Sequence, residues 1–227
     1  IRVSPLSFFF FYNAFQGEKR YAWQEYYTYG GLPLVMTKKS HEEKAKYLQS
    51  LFDTIYISDI MDRNKLVYEK SVLDDILNIV SSSVGSLTNA NKITNTFKSA
   101  KQMNIGAPTV SRYLDYFIDA FLLYKAERYD VKGRKYIGSP LKYYFSDVGL
   151  RNARLNFRQQ EETHIMENII YNELCGRDFS VDVGVVEYCY KDAEKKSKRT
   201  QLEIDFVANK GSKKYYIQSA LTVADKE

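Results

Sequence analysis

Cysteine and histidine are nearly absent from this 227-residue chain, which has two of each: Cys175, Cys189, His41 and His164. No zinc site of Cys₄ or Cys₂His₂ type fits that inventory at a recognisable spacing, and histidine-based catalysis has too few candidates. Both thiols read as small buried side chains. Long apolar runs are missing too. Nothing approaches the roughly 20 residues of a membrane span, and the aromatic run FFFFY at 8–12 is too short, and wrongly flanked, for a signal peptide. The expectation is a cytoplasmic protein without membrane contact. The phosphate-binding pattern G-x-x-x-x-G-K-[ST] does not occur. The two glycine–lysine neighbourhoods, VKGRK and NKGSKK, sit in hairpin turns, so the chain has no P-loop for ATP. A G-x-S-x-G elbow and an H-E-x-x-H pair are lacking as well.

What remains is ordinary for folded protein, 44% hydrophobic and 27% charged residues, and enough chain for one large domain or two to three small ones. A net charge of +5 permits contact with nucleic acid. The chain opens on Ile1 and runs straight into IRVSPLSF, as the rear part of a longer protein would.

Three regions are expected. Residues 1–70 are aromatic-rich and punctuated by YGGLP, where Gly30 and Gly31 end one helix and Pro33 blocks its continuation. Ala45, Leu48, Leu51, Phe52, Ile55 and Tyr56 then form an amphipathic stripe. Residues 71–147 read as three helices and a hairpin. Ser71 is the N-cap of the first helix, and Leu73, Ile76, Leu77, Val80 and Val84 face inward before Gly85 closes it. The second turns Ala90, Ile93, Phe97 and Ala100 inward. The third starts at Pro108 and turns in Val110, Leu114, Phe117, Ile118 and Phe121, which leaves Thr109, Ser111, Arg112 and Asp115 outside. A hairpin with Lys132, Arg134 and Lys135 at its tip follows. Three helices and a basic-tipped hairpin is the plan of a winged helix-turn-helix, so Thr109, Ser111, Arg112, Lys132, Arg134 and Lys135 are the candidate DNA contacts. Residues 148–227 read as a helix with Ile165, Ile169, Ile170 and Leu174 inward, then three strands, FSVDVGVVEYCY, QLEIDFVAN and KKYYIQSALTV. The loop KDAEKKSKR at 191–199 carries five basic and two acidic residues.

One constellation points to chemistry. Side chains alternate along a strand, so Glu203 and Asp205 share a face, as do Gln218 and Ala220 on the next strand, with Glu167 able to join from the preceding helix. Two or three oxygen ligands around a divalent ion, with a lysine to orient the attacking water, is what phosphodiester hydrolysis needs. Glu203 and Asp205 are the candidate metal ligands, but Ala220 stands where that lysine would be, and Lys213 and Lys214 lie near the strand's start. A plain exposed strand face is the competing reading.

In order along the chain, IRVSPLSF, YGGLP, EEKAKYLQSLFDTIYISDI, SSSVGSLTNANKITNTFKS, RYDVKGRKYIGSPLKYYFSDVGLRNARLNFRQ, HIMENIIYNEL and EIDFVA resemble the region after the ATPase core in a group of prokaryotic AAA-type ATPases, a region known as domain of unknown function 4143. That resemblance implies an α+β multi-domain chain: the tail of an ATPase core and helical linker (1–70), a winged helix-turn-helix (71–147), and an α/β restriction-endonuclease-like domain (148–227), incomplete at its C-terminus. It implies ATP and magnesium in an upstream domain and no cofactor in this fragment. Glu167, Asp205 and Gln218 become a degenerate PD-(D/E)XK cluster without confident catalytic residues. The expected role is a non-catalytic accessory region, coupling nucleotide state to binding of DNA or a protein partner, with the upstream ATPase domain and self-association as further contacts. A metal-dependent endonuclease and an autoinhibitory docking domain are the alternatives.

Overall fold

In a computed structural model, residues 4–66, 70–101, 104–158, 161–191 and 197–222 are described, without the side chains of residues 53, 55, 100, 101 and 191. The expected inward positions Ile55 and Ala100 therefore lie outside the described residues, as does most of the basic 191–199 loop. Among the described residues the chain forms nine α-helices and one five-stranded mixed sheet.

The N-terminal helices are α1 (Phe8–Ala14), α2 (Lys19–Tyr29), α3 (His41–Leu51) and α4 (Ser58–Arg63). Ser40 and Glu43 form a reciprocal capping box at the start of α3. The stripe read across 45–56 is real, with Leu48 and Phe52 buried, but the helix widens into a π-type turn over Phe52–Ile57 before α4. The next three helices are α5 (Lys70–Ser82), α6 (Ala90–Lys101) and α7 (Ala107–Asp119). Leu73, Ile76, Leu77, Val80 and Val84 are all buried, as are Ile93, Phe97, Val110, Leu114 and Phe117; each such side chain contributes roughly 1.5–3 kcal/mol. Two expectations fail in detail. Ser71 lies inside α5, not at its cap. Phe121, expected inward, is 58% exposed with φ +55°, because the chain leaves the helix there and Leu122 takes the core position.

Strands β1 (Leu123–Asp130), β2 (Lys135–Phe145), β3 (Ser180–Lys191), β4 (Ser197–Lys210) and β5 (Lys213–Ile217) form a sheet in the order β2-β1-β3-β4-β5. Helices α8 (Val148–Arg154) and α9 (Glu162–Gly176) connect β2 to β3. The β1–β2 hairpin is antiparallel, and β1 runs parallel to β3 from Arg128↔Val183 to Asp130↔Val185. The hairpin expected as a wing thus belongs to the same sheet as the C-terminal strands. One core cluster spans α5–α7, β1, β2 and the sheet, and a second joins Phe11, Ala22, Tyr26 and Tyr27 to Val148, Ile165 and Ile169.

Between β3 and β4 the pairing slips from Asp182↔Val207 to Gly184↔Ile204, so β4 carries one extra residue beside Asp205. Gly184 is required there, since a Cβ would lie 2.8 Å from Val207 Cγ2 and 2.9 Å from Ile204 Cβ. Beyond the slip β3 and β4 continue as a two-stranded ribbon, paired from Val185↔Glu203 out to Lys191↔Ser197.

Candidate functional site

Two of the residues singled out from the sequence, Glu167 and Glu203, meet on the face of the sheet covered by α9 through one that sequence reasoning missed. Lys142 and Tyr144, two residues apart on β2, turn to that face. Lys142 is 3% exposed, and its Nζ donates to Glu167 Oε1 at 2.9 Å and lies 2.7 Å from Glu203 Oε1. The Tyr144 hydroxyl donates to the same Glu167 oxygen at 2.5 Å. Across from these donors, Gly85 stands so close that a Cβ there would be 3.2 Å from Glu167 Oε2. Glu167 is therefore enclosed by a lysine, a phenol and a glycine. Burial acts to lower the Lys142 pKa, but the neighbouring Glu167 and Glu203 carboxylates outweigh it and hold the ammonium above its ordinary value. Burial, then the Glu167 charge, pushes the Tyr144 phenol far up, so it serves as a neutral donor.

Asp205 has other partners. Its Oδ2 accepts from the Ser219 amide at 2.7 Å and the Ser219 hydroxyl at 2.6 Å, and its own amide donates to Gln218 Oε1 at 3.4 Å. Strand β5 ends at Ile217, so Gln218 and Ala220, expected to alternate along it, lie in the irregular segment after it. That corrects the strand assignment: the ladder stops at Phe206↔Ile217, and beyond it the Asp205 side chain holds the chain through Ser219. Lys213 and Lys214 stay at the far end of β5, paired with Lys210 and Asn209. Among the described residues no cluster of three or more His, Cys, Asp or Glu is arranged to hold a metal ion.

The candidate DNA contacts occupy two places. Ser111 and Arg112 are exposed on α7 and Thr109 is half-buried, with the Arg112 guanidinium 5.6 Å from the Tyr113 ring centre. At the β1–β2 tip, Asp130 Oδ1 accepts from the amides of Lys132 and Gly133 at 3.1 and 2.9 Å, and Arg134 takes φ +52°. Lys132 Nζ reaches back to the Glu187 carbonyl at 3.0 Å, while Arg134 and Lys135 are exposed. The tip lies a whole strand beyond the end of α7, about 25 Å at the rise of an eight-residue strand.

A second polar assembly centres on α8. Asp147 caps it, Oδ1 accepting from the Leu150 amide at 3.1 Å, while Oδ2 accepts from Gly31 in the YGGLP turn at 2.7 Å. Burial pushes this carboxyl up to about 6 against those amides. Arg151, 1% exposed, donates to the Ser81 carbonyl at 2.9 Å, and Asn152 Nδ2 donates to the Tyr27 and Thr28 carbonyls, each at 3.0 Å. A cavity of about 470 Å³ lies beside it, lined by Leu6, Phe10, Asp147, Asn172, Glu173 and Cys175. The cap at Asp147 was legible from FSDVGL. The reach to Gly31, 116 residues away, was not.

Fold and site define a mixed α/β protein with, among the described residues, one five-stranded sheet and an internally paired acid cluster. The chain belongs to the family described as domain of unknown function 8612, whose model matches residues 20–161. An uncharacterized protein of Haemophilus influenzae is 33% identical over 230 residues, covering 99% of this chain and 54% of that protein. The uncharacterized protein MJ1544 of Methanocaldococcus jannaschii is 26% identical over 220 residues, 90% of this chain and 46% of its own. The chain thus spans about half the length of the curated relatives it matches. No solved structure matches. These findings overturn the resemblance to AAA-type ATPases: neither that family nor domain 4143 matches, and the matching family is a different one. The expectation of ATP and magnesium in an upstream domain rested on that resemblance and loses its support. No helix among the described residues is long and apolar enough to cross a membrane.

Proposed function

We propose that this chain is a non-hydrolytic binding region of a longer protein and that its ligand is nucleic acid. One observation carries the first half: each nuclease-like carboxylate already has a protein donor, Lys142 for Glu167 and Glu203, and Ser219 for Asp205. A divalent ion would have to displace a buried ammonium or the two Ser219 donors of Asp205. The cluster acts instead as a clamp joining α9, β2 and β4. The second half is supported by the net charge of +5 and by the exposed Arg134 and Lys135 at the hairpin tip. The arrangement of α5–α7 with the β1–β2 hairpin supports a winged-helix-like unit, and α9 over β3–β5 a nuclease-like one, sharing one sheet.

Two assays on the 227-residue chain test this. Supercoiled plasmid incubated with magnesium or manganese should show no nicking above the metal-free control. Fluorescent oligonucleotides should be retarded in a gel at low salt and released as salt rises from about 50 to 200 mM, where phosphate contacts weaken steeply. Metal-dependent nicking that vanishes in Asp205→Ala overturns the non-hydrolytic reading, and absence of retardation of any oligonucleotide at low salt overturns the nucleic-acid reading.

A further inference from the structure

The face of the sheet opposite α9 is the most unusual surface of the molecule. Residues directly paired across antiparallel strands share a face, so Val186 with Leu202, Tyr188 with Thr200 and Tyr190 with Lys198 lie together along the β3–β4 ribbon. Nearer the centre the same face holds Tyr129 and Tyr136, paired on β1 and β2 with ring centres 5.5 Å apart, and Val207 paired with Tyr216. Val207 and Ile204 close over Gly184 between them, and Lys214 lies 5.0 Å from the Tyr129 ring centre. Tyr136, Tyr188, Tyr190 and Tyr216 are 59, 50, 42 and 53% exposed, far more than tyrosines serving a core. The rings of Tyr188 and Tyr190 are parallel to within 15° at 6.1 Å.

We infer that this face binds single-stranded nucleic acid, with unpaired bases stacking on the exposed tyrosines and phosphates running past Lys198 and Lys214. The inference rests on the nucleic-acid reading above and gives it a substrate class. Ring faces open to solvent gain from a flat partner that a duplex does not offer, because its bases already cover one another; a single strand offers one per nucleotide. Charge agrees. Lys198 and Lys214 lie on the face. Of the acids on this face, Glu127 is paired with Lys125, and Asp182 accepts from the Tyr136 hydroxyl at 3.3 Å, its carboxyl pKa raised by burial. The face therefore combines stacking platforms with a modest positive bias.

Fluorescence anisotropy at low salt tests this with labelled dT15, U15 and a blunt 15-base-pair duplex. The expected result is tighter binding of dT15 or U15 than of duplex, with the two single strands distinguishing DNA from RNA. Tyr188→Ala and Tyr190→Ala should each weaken it roughly tenfold, as loss of one stacked base does, while Tyr188→Phe restores it. Arg20→Ala, at an exposed position of α2 on the α9 side of the sheet, should leave single-strand affinity within about twofold, whereas Arg134→Ala with Lys135→Ala at the hairpin tip should weaken single strand and duplex alike. Equal binding of duplex and single strand, unaffected by the tyrosine changes but lost with the tip variants, overturns the inference and leaves the nucleic-acid reading standing. No binding of any probe overturns both. Self-association in size-exclusion chromatography that the tyrosine changes abolish, with no oligonucleotide bound, assigns the face to a second copy of the chain and overturns the inference as well.

Discussion

Replacing Lys142 with methionine removes one charge and keeps most of the side chain's volume, so it isolates what the ammonium does. In the native chain the ammonium lies between Glu167, whose side chain is 10% exposed, and Glu203, at 35%. Glu203 can turn to water and should contribute little. Glu167 cannot; it is left with the Tyr144 hydroxyl alone. Removing one member of a buried ion pair costs about 3–5 kcal/mol, mostly for the charge left behind. With a urea slope of about 2 kcal/mol per M, the midpoint should fall by about 2 M. Adding Glu167→Gln removes the stranded charge and should recover most of the loss, so a double-mutant cycle should report a coupling of about 2 kcal/mol or more. In the native protein the contribution is fully present below the ordinary lysine value of 10.5 and is lost as pH rises through the higher folded-state value. A midpoint shift under about 0.5 M, with no coupling between the two sites, would refute the clamp and with it the argument that the carboxylates are occupied.

The Asp147 carboxyl, pushed from 3.8 to about 6 by burial, holds in the folded chain a proton that the unfolded chain has lost between those values. Stability should therefore fall as pH rises from about 4 to 6, by about 3 kcal/mol from this group. Urea titrations across that window should show the slope in the native chain and a flatter one in Asp147→Asn; identical slopes contradict the assignment. Gly149→Ala would place a Cβ 1.9 Å from the Tyr29 carbonyl oxygen, and at a cost of about 3 kcal/mol should lower Tm by roughly 6–12 °C. An unchanged melt would mean that α8 and α2 separate without penalty.

Much of the helical part was legible because helical spacing alone selects its buried residues. Leu73, Ile76, Leu77 and Val80 need no knowledge of what they pack against, and neither do Ile165 and Ile169. Strands were legible in place and less so in extent. The first residues of β4, SKRTQ, carry no apolar alternation, yet they pair with Glu187–Lys191 because the ribbon is held by backbone hydrogen bonds, which sequence pattern does not register. β5 ended early for the opposite reason, the Asp205 side chain bonding Ser219 just beyond it. The acids of the candidate site were found, but their partner was not. Lys142 sits in PLKYYF, where a lysine among aromatics signals either an exposed edge or a buried ion pair, and the choice depends on Glu167, 25 residues away, and Glu203, 61 away. A lysine flanked by apolar residues on a strand is the signal that could have led there.

The junction at α8 has a consequence for which residues can vary. Asp147, Arg151 and Asn152 take their partners from the main chain: the Gly31 amide and the carbonyls of Ser81, Tyr27 and Thr28. A main-chain partner is the same whatever side chain it carries. As far as these hydrogen bonds go, Thr28 and Ser81 are free to drift, whereas the three residues on α8 have no substitutes of equal reach. The junction therefore recognises the path of the chain, and a saturation scan should show Asp147, Arg151 and Asn152 less tolerant of change than the half-buried Thr28, which lends only its carbonyl.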